Sequence, residues 1–259
     1  MSPFLNAINS SIGLMDRLLE ATARAERDHF WFRGFRRFMA PLLAEAVREC
    51  PAPAILDCGC GTGHNLSMLR QYGRAAGIDL TWTGLVHAKR GGERHIAQAT
   101  VTSLPFADAG FDVVTSFDVI YALDDAAEAA ALREMFRILR PGGYLVLNVA
   151  AMDMLKGNHS VLGGEVRRYS RAMLTDHLRR AGFEIRRVSY TNATIFPVVA
   201  TARFLQRRSG LQESQRDISI PPAPVNAALS AALAIEAGLL RIIDMPFGSS
   251  LMALARKPR

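Results

Sequence analysis

The stretch Ile55-Leu56-Asp57-Cys58-Gly59-Cys60-Gly61-Thr62-Gly63 places three glycines and a carboxylate where an apolar run gives way to a helical pattern. Glycines at such a junction let the backbone turn tightly and approach a ligand closely, with a helix N-terminus beyond. Alone this is a weak signal, because a structural tight turn uses the same residues. The spacing narrows it. Dinucleotide loops use Gly-x-Gly-x-x-Gly, whose third glycine admits close helix packing around a pyrophosphate. Here the pattern is Gly-x-Gly-x-Gly, followed by His64 rather than glycine. Asp57, two residues before Gly59, sets a carboxylate beside the loop. That charge repels a pyrophosphate and suits an ammonium or sulfonium group. A second acid, Asp79, closes Gly77-Ile78-Asp79. At the carboxyl edge of a sheet such an acid can accept hydrogen bonds from both ribose hydroxyls. The plainer reading of Asp79 is an exposed strand-end aspartate.

These residues need a scaffold, and the chain's rhythm supplies one. Short apolar runs at 54–57, 75–79, 95–99, 112–117 and 144–149 read as strands, as do 184–190 and 250–255. Helical patterns occupy 63–72, 82–91, 125–139 and 170–181. Alternation of near-continuous apolar strands with helices predicts a parallel sheet covered on both faces. Pro141-Gly142-Gly143 and Gly182 read as sharp stops after helices. Ahead of this core, residues 1–50 form an expected N-terminal helical cap. Ile12, Leu14, Met15, Leu18 and Leu19 recur at helical spacing, and a second helical stretch covers 35–47. Between them lies the aromatic segment His29-Phe30-Trp31-Phe32-Arg33-Gly34. The core is expected at 51–190 plus 249–259, interrupted by an apolar helical insertion at 191–248 with helices at 195–205 and 225–243.

Further segments follow in order: Ser103-Leu104-Pro105-Phe106-Ala107-Asp108, Phe111-Asp112-Val113-Val114, and Leu139-Arg140-Pro141-Gly142-Gly143-Tyr144-Leu145. With the glycine loop and Asp79, they make the chain resemble class I, Rossmann-like S-adenosylmethionine-dependent methyltransferases of the small-molecule type. The resemblance covers 54–190 strongly and the final strand weakly. It implies a seven-stranded, mostly parallel sheet with helices on both faces and an antiparallel hairpin at its end. It also implies S-adenosylmethionine as methyl donor, with S-adenosylhomocysteine as product. By motif position Asp57, Cys58, Gly59 and Gly61 would contact the methionyl part and Asp79 the ribose. Leu80 would pack on the adenine, Thr100 and Val101 would lie at its edge, and Phe117 would stand at the next strand's end. Thr100 departs from the family, which often carries an aspartate there, and Ala122 stands where a histidine is common.

Methyl transfer is an in-line displacement with a neutral leaving group, so alignment and desolvation of the nucleophile dominate. A base is required only if the acceptor is protonated at working pH. Loops at the carboxyl edge supply the candidates. His159 is the candidate base, because its free pKa is near the working range; the bland alternative is a solvated loop histidine. Tyr169 is a second catalytic candidate, and Tyr121, Arg167 and Arg168 are candidates for the acceptor side. Arg167-Arg168-Tyr169-Ser170 could grip an anionic substrate, or Ser170 could simply cap the next helix. More narrowly, His29–Gly34, Arg167–Tyr169 and Pro246–Ser250 resemble segments of a group of bacterial methyltransferases without a secure substrate. In that group a histidine usually replaces Glu165 and an aspartate usually replaces Ser160. Trp31 and Arg33 are candidates to close over the site, or else pack as ordinary helix residues.

The net charge of +7 comes almost entirely from arginine, since lysine occurs only at Lys89, Lys156 and Lys257. The arginines are spread over many segments, so charge alone argues against nucleic acid as the main partner. Neither an Asn/Asp-Pro-Pro-aromatic signature nor a separate RNA-binding module is present; Asp118-Val119-Ile120-Tyr121 stands after the fourth strand. A nucleic-acid methyltransferase and a non-catalytic S-adenosylmethionine-binding partner protein are the rival readings. Cys50, Cys58 and Cys60 make no disulfide framework, and Cys58-x-Cys60 lacks a second ligand pair, so no metal is expected. The spare cysteines and the absence of a signal-like N-terminus lead us to expect a cytoplasmic protein. The insertion must bury its apolar surface. Added core, a roof over a hydrophobic pocket, a homodimer contact and a peripheral membrane contact with Arg203, Arg207 and Arg208 at the headgroups are the options. The leading expectation is a small-molecule or lipid-like acceptor.

Overall fold

The computed structural model describes residues 16–156, 160, 164–208 and 218–259. One sheet of seven strands runs in the order β3-β2-β1-β4-β5-β7-β6. The strands are β1 (Ala54–Cys58), β2 (Arg74–Asp79), β3 (Ile96–Gln98), β4 (Phe111–Phe117), β5 (Leu139–Ala150), β6 (Glu184–Thr191) and β7 (Ser250–Arg256). The first five are parallel, whereas β7 runs antiparallel to both β5 and β6. This is the expected mostly parallel sheet with an antiparallel end.

Helices flank it: α1 over 16–25, then α2 (Phe30–Val47), α3 (His64–Leu69), α4 (Trp82–Arg90), α5 (Asp125–Ile138), α6 (Arg171–Arg180), α7 (Phe196–Arg208) and α8 (Ala223–Leu239). The central strands are mostly apolar because both faces are buried, and successive side chains feed opposite cores. Ile55, Val113, Val146 and Met252 join α2, α3 and α8 in one core. Their neighbours Leu56, Val114, Leu145 and Leu251 join α5 and α6 in the other.

Several boundaries differ from the sequence expectation for local reasons. The aromatic segment, placed between two helical stretches by the sequence, forms the first turns of α2. His29 caps that helix, its Nδ1 accepting from the Trp31 N–H at 3.2 Å. Burial pushes the His29 pKa down to about 4, which keeps the ring neutral and able to accept. Helix α3 stops at Leu69 rather than 72, because the chain must turn into β2, where Arg74 N–H donates to Pro53 O at 2.9 Å. Strand β5 reaches back to Leu139, with an irregular register opposite Phe111–Val113, and so takes in the Pro-Gly-Gly segment read as a stop. Gly142 sits there at φ 85°.

The insertion packs back on the core. A Cβ at Gly34 would lie 2.4 Å from Leu233 Cδ1, so the glycine lets α8 close onto α2. Glu236, fully buried in α8, accepts from Ala193 N–H at 3.0 Å, Thr194 N–H at 2.9 Å and Thr194 Oγ1 at 2.7 Å. It ties the start of α7 to α8. Among the described residues no helix is long and apolar enough to cross a membrane.

Candidate active site

The loop after β1 is held open by backbone chemistry. Gly59, Gly61 and Gly63 have φ of 90°, 51° and 79°, in the left-handed region that glycine adopts without penalty. A Cβ on Gly59 would stand 2.2 Å from Val119 Cγ2. The N–H groups of Gly59 and Cys60 each donate to Ile78 O at 2.8 Å, and Gly61 N–H donates to Asp79 Oδ2 at 2.7 Å. Asp79 Oδ1 accepts from Thr81 N–H at 2.8 Å and Thr81 Oγ1 at 2.5 Å. Asp79 is therefore fixed by the loop and stays half-exposed at the sheet's carboxyl edge.

Asp57 lies beneath the loop at 1% exposure. Its Oδ1 accepts from Thr115 Oγ1 at 2.6 Å, while Oδ2 has no hydrogen-bond partner among the described residues. Burial pushes its pKa up to about 7; the Thr115 hydrogen bond pulls it down and the Asp79 charge raises it further. An orphaned buried acceptor is costly unless it serves a donor or cation. Cys58 and Cys60 are buried, with thiol pKa values raised by burial, and act as packed apolar groups. Leu80 and Trp82 stand 65% and 68% exposed just past Asp79, giving an open apolar surface beside it. Thr100 Oγ1 is 2.8 Å from Thr102 Oγ1. Val101 and Phe117 are nearly buried, and Phe117 meets Phe35 edge-on at 5.0 Å.

Sequence reasoning missed one contributor to this side. Thr62 Oγ1 donates to Glu26 Oε2 at 2.5 Å, which latches the end of α1 over the glycine loop. Burial raises the Glu26 pKa.

The end of β4 carries a second missed residue. Asp118 adopts φ 58°, a left-handed conformation that costs a non-glycine residue about 1 kcal/mol or more. The protein surrounds its carboxylate, yet the residue remains open to solvent. Its Oδ1 accepts from Asn148 Nδ2 at 2.9 Å. Burial pushes its pKa up to about 7; Asn148 lowers it, Glu165 raises it and Arg168 lowers it. A strained carboxylate near neutral pKa at the carboxyl end of a central strand fits a general base. The only sequence signal was an aspartate directly after an apolar strand.

The structure reassigns three sequence candidates. Tyr169 is completely buried in the core, its hydroxyl 3.4 Å from Ile120 O, and burial holds its pKa far above the ordinary range. It packs in the hydrophobic core. Arg167 pairs with Asp125 at 2.6 Å and Glu128 at 2.8 Å and donates to Leu123 O at 2.9 Å. Arg168 pairs with Glu165 at 2.8 Å and donates to Ala151 O at 3.1 Å and Ser160 Oγ at 3.2 Å. Both guanidinium groups are ion-paired within the protein and hold the loop after β5, while the Nε of each has no hydrogen-bond partner among the described residues. Ser170 does cap α6, accepting from Met173 N–H at 3.2 Å. Tyr121 is buried beside Asp118 and Glu165, whose charges add to burial in raising its pKa. Trp31 is half-buried against the α2 core, and Arg33 is exposed. His159 lies outside the described residues.

Residues 56–147 match the family model of the methyltransferase domain. A protein of Mycolicibacterium smegmatis named a "Probable S-adenosylmethionine-dependent methyltransferase" is 28% identical over 235 residues, covering 88% of this chain and 86% of that one. The malonyl-[acyl-carrier protein] O-methyltransferase of Serratia marcescens is 33% identical over 108 residues, 41% of this chain and 42% of its own. Among solved structures, a Thermotoga maritima protein described as a "SAM-dependent methyltransferase, possible histamine N-methyltransferase" superposes with a TM-score of 0.60 at 22% identity, covering 95% of this chain and 99% of that one. Its likeness extends the shared fold over nearly the whole molecule. With the loop geometry and the sheet order, these matches identify a methyltransferase domain at residues 56–147, on the fold of S-adenosylmethionine-dependent methyltransferases.

Proposed function

We propose that the carboxyl edge of β1, β2 and β4 holds S-adenosylmethionine and presents its methyl group to a small-molecule or lipid-like acceptor. The observation that carries this reading is Asp57 Oδ2, an unpartnered buried acceptor beneath three left-handed glycines. Bound there, the donor supplies an electrophilic methyl on a cationic sulfur with a neutral leaving group. Asp57 and the bare backbone at Gly59 and Gly61 would hold its methionyl end. Asp79, already anchored on the loop, would accept from the ribose. Exposed Leu80 offers an apolar face for the adenine, and Thr100 a hydroxyl at its edge.

On the acceptor side, Asp118 takes the role for which His159 was the candidate from sequence. It accepts the proton of a hydroxyl or amine as the methyl is transferred, while Asn148 fixes one of its oxygens. A lipid-like acceptor is supported by exposed apolar residues near this edge. Met154 is 61% exposed, and α7, which packs near the Asp153–Leu155 turn, exposes Val198, Phe204 and Leu205. The same faces suit a homodimer or peripheral membrane contact.

The test is a thermal shift with S-adenosylhomocysteine against NAD, followed by transfer from labelled donor into separate lipid, metabolite and RNA extracts. Stabilisation by S-adenosylhomocysteine alone and label in lipid or metabolite are expected. Absence of a shift overturns the donor site. Label confined to RNA overturns the acceptor class.

A further inference from the structure

Beside the glycine loop, a groove opens between α2 and α3 with a volume of about 460 Å³. Its lining includes Arg27, Arg33, Arg36, Arg37 and His64. Four guanidinium groups and an imidazole thus share one concave surface that the methyl-transfer reading leaves unused.

Their partners are unevenly distributed. Arg36 donates to the carbonyls of Glu26 at 3.0 Å and Arg27 at 3.4 Å, and Arg37 to Ser230 O at 3.3 Å. Those bonds aim the groups without neutralising them. Neither the Arg27 nor the Arg33 guanidinium makes a hydrogen bond or ion pair with the described residues. The acids that act on the cluster are Glu26 and Asp28, and Glu26 already accepts from Thr62. Positive charge therefore exceeds negative in the groove. The mutual repulsion shows in the neighbours. After burial, Arg36 and Arg27 lower the pKa of His64, and Arg33 and Arg37 add to the lowering on Arg36. Like charges held together in a recess cost free energy that a bound anion returns. Several planar guanidinium forks lining one groove suit the oxygens of a phosphate better than a single carboxylate.

We propose that this groove is a binding site for a phosphate-bearing ligand, held by Arg27, Arg33, Arg36 and Arg37 with His64 at its loop end. The phosphate belongs to a free small molecule or to a lipid headgroup.

The experiment titrates the protein with inorganic diphosphate by calorimetry and with vesicles of phosphatidylglycerol and phosphatidylcholine by flotation, using pure phosphatidylcholine as reference. Saturable binding of diphosphate identifies a free ligand, and preferential flotation with phosphatidylglycerol identifies a headgroup. R27Q/R33Q removes two groups without partners among the described residues, so it should melt like the parent and weaken that binding about tenfold or more. Gln71→Glu, which puts a carboxylate at an exposed position of the same lining, should weaken it as well. K89Q/R90Q removes the same charge from the exposed end of α4 and should leave binding within about twofold. No saturable binding of either probe overturns the proposal. So does an equal loss in K89Q/R90Q, which reduces the effect to net charge, or binding of single-stranded RNA in place of both probes.

Discussion

Asp57 is a carboxylate kept where a carboxylate is unwelcome. Its pKa is raised by burial, so the folded state holds its proton up to about pH 7 while the unfolded chain releases it near pH 4. The folded form binds more protons between these values, and this group's contribution to stability falls as pH rises through that window. Asp57→Asn should therefore raise the melting temperature at pH 8 more than at pH 5, by the equivalent of about 2 kcal/mol. The same change should weaken S-adenosylhomocysteine binding at least tenfold, read by calorimetry. Gain of stability with loss of affinity marks a group retained for its ligand. Asp118 makes a second prediction. As a base with a pKa of about 7, it should make the transfer rate rise with pH through neutrality and level off above it. Asp118→Asn should cost about 100-fold in turnover and flatten that limb, with donor affinity unchanged. The residues themselves were unequally legible. Asp57 and Asp79 announced themselves by spacing to glycines. Arg167 did not reveal its ion pairs, because its partners Asp125 and Glu128 lie far off in the sequence and only folding brings them close.

Elements were legible where periodicity was strong. The strands of the parallel half are mostly apolar in their middles, since a residue facing either side meets a helix, and their polar residues gather towards the strand ends. Ends were less so. The start of α2 is decided by a histidine ring acting as a cap, a device outside the usual Ser, Thr, Asp and Asn. The acid at position 236 reads from sequence as an interruption of an apolar helix, but in the fold it joins two helices. Glu236→Ala should leave the Ala193 and Thr194 donors unsatisfied and cost about 2–4 kcal/mol in urea unfolding, with proteolysis at α7 as the first sign. Glu236→Gln keeps one acceptor oxygen and should lose about half as much.

At the scale of the whole molecule, one sheet serves as the shared wall of two cores, and the donor loop crosses from one to the other. Cys58 packs with the α5–α6 core and Cys60 with the α2–α3 core, two residues apart. Ligand bound across that loop stabilises both cores together. S-adenosylhomocysteine at about 100 times its Kd should add about 2.7 kcal/mol and raise a single cooperative melting transition by several degrees. Two separated transitions in calorimetry would contradict this coupling. The parallel, doubly covered sheet was readable from strand–helix alternation, and the antiparallel end from the family resemblance. The closeness of α8 to α2 was not, because it depends on a glycine at position 34 that carries no periodic signal.

The place of β7 has a consequence for how the molecule comes into being. It lies between β5 and β6, although it is made after both and after the entire insertion. Until residues 250–256 leave the ribosome, the inner edges of β5 and β6 stay unpaired and open to other chains. The parallel half can assemble during synthesis, whereas the antiparallel end is sewn in last, through contacts spanning more than a hundred residues from Tyr144 to Arg256. Such long-range closure is slow. The newborn enzyme is most exposed to chaperones, and to mispairing, in the moments before its final strand arrives.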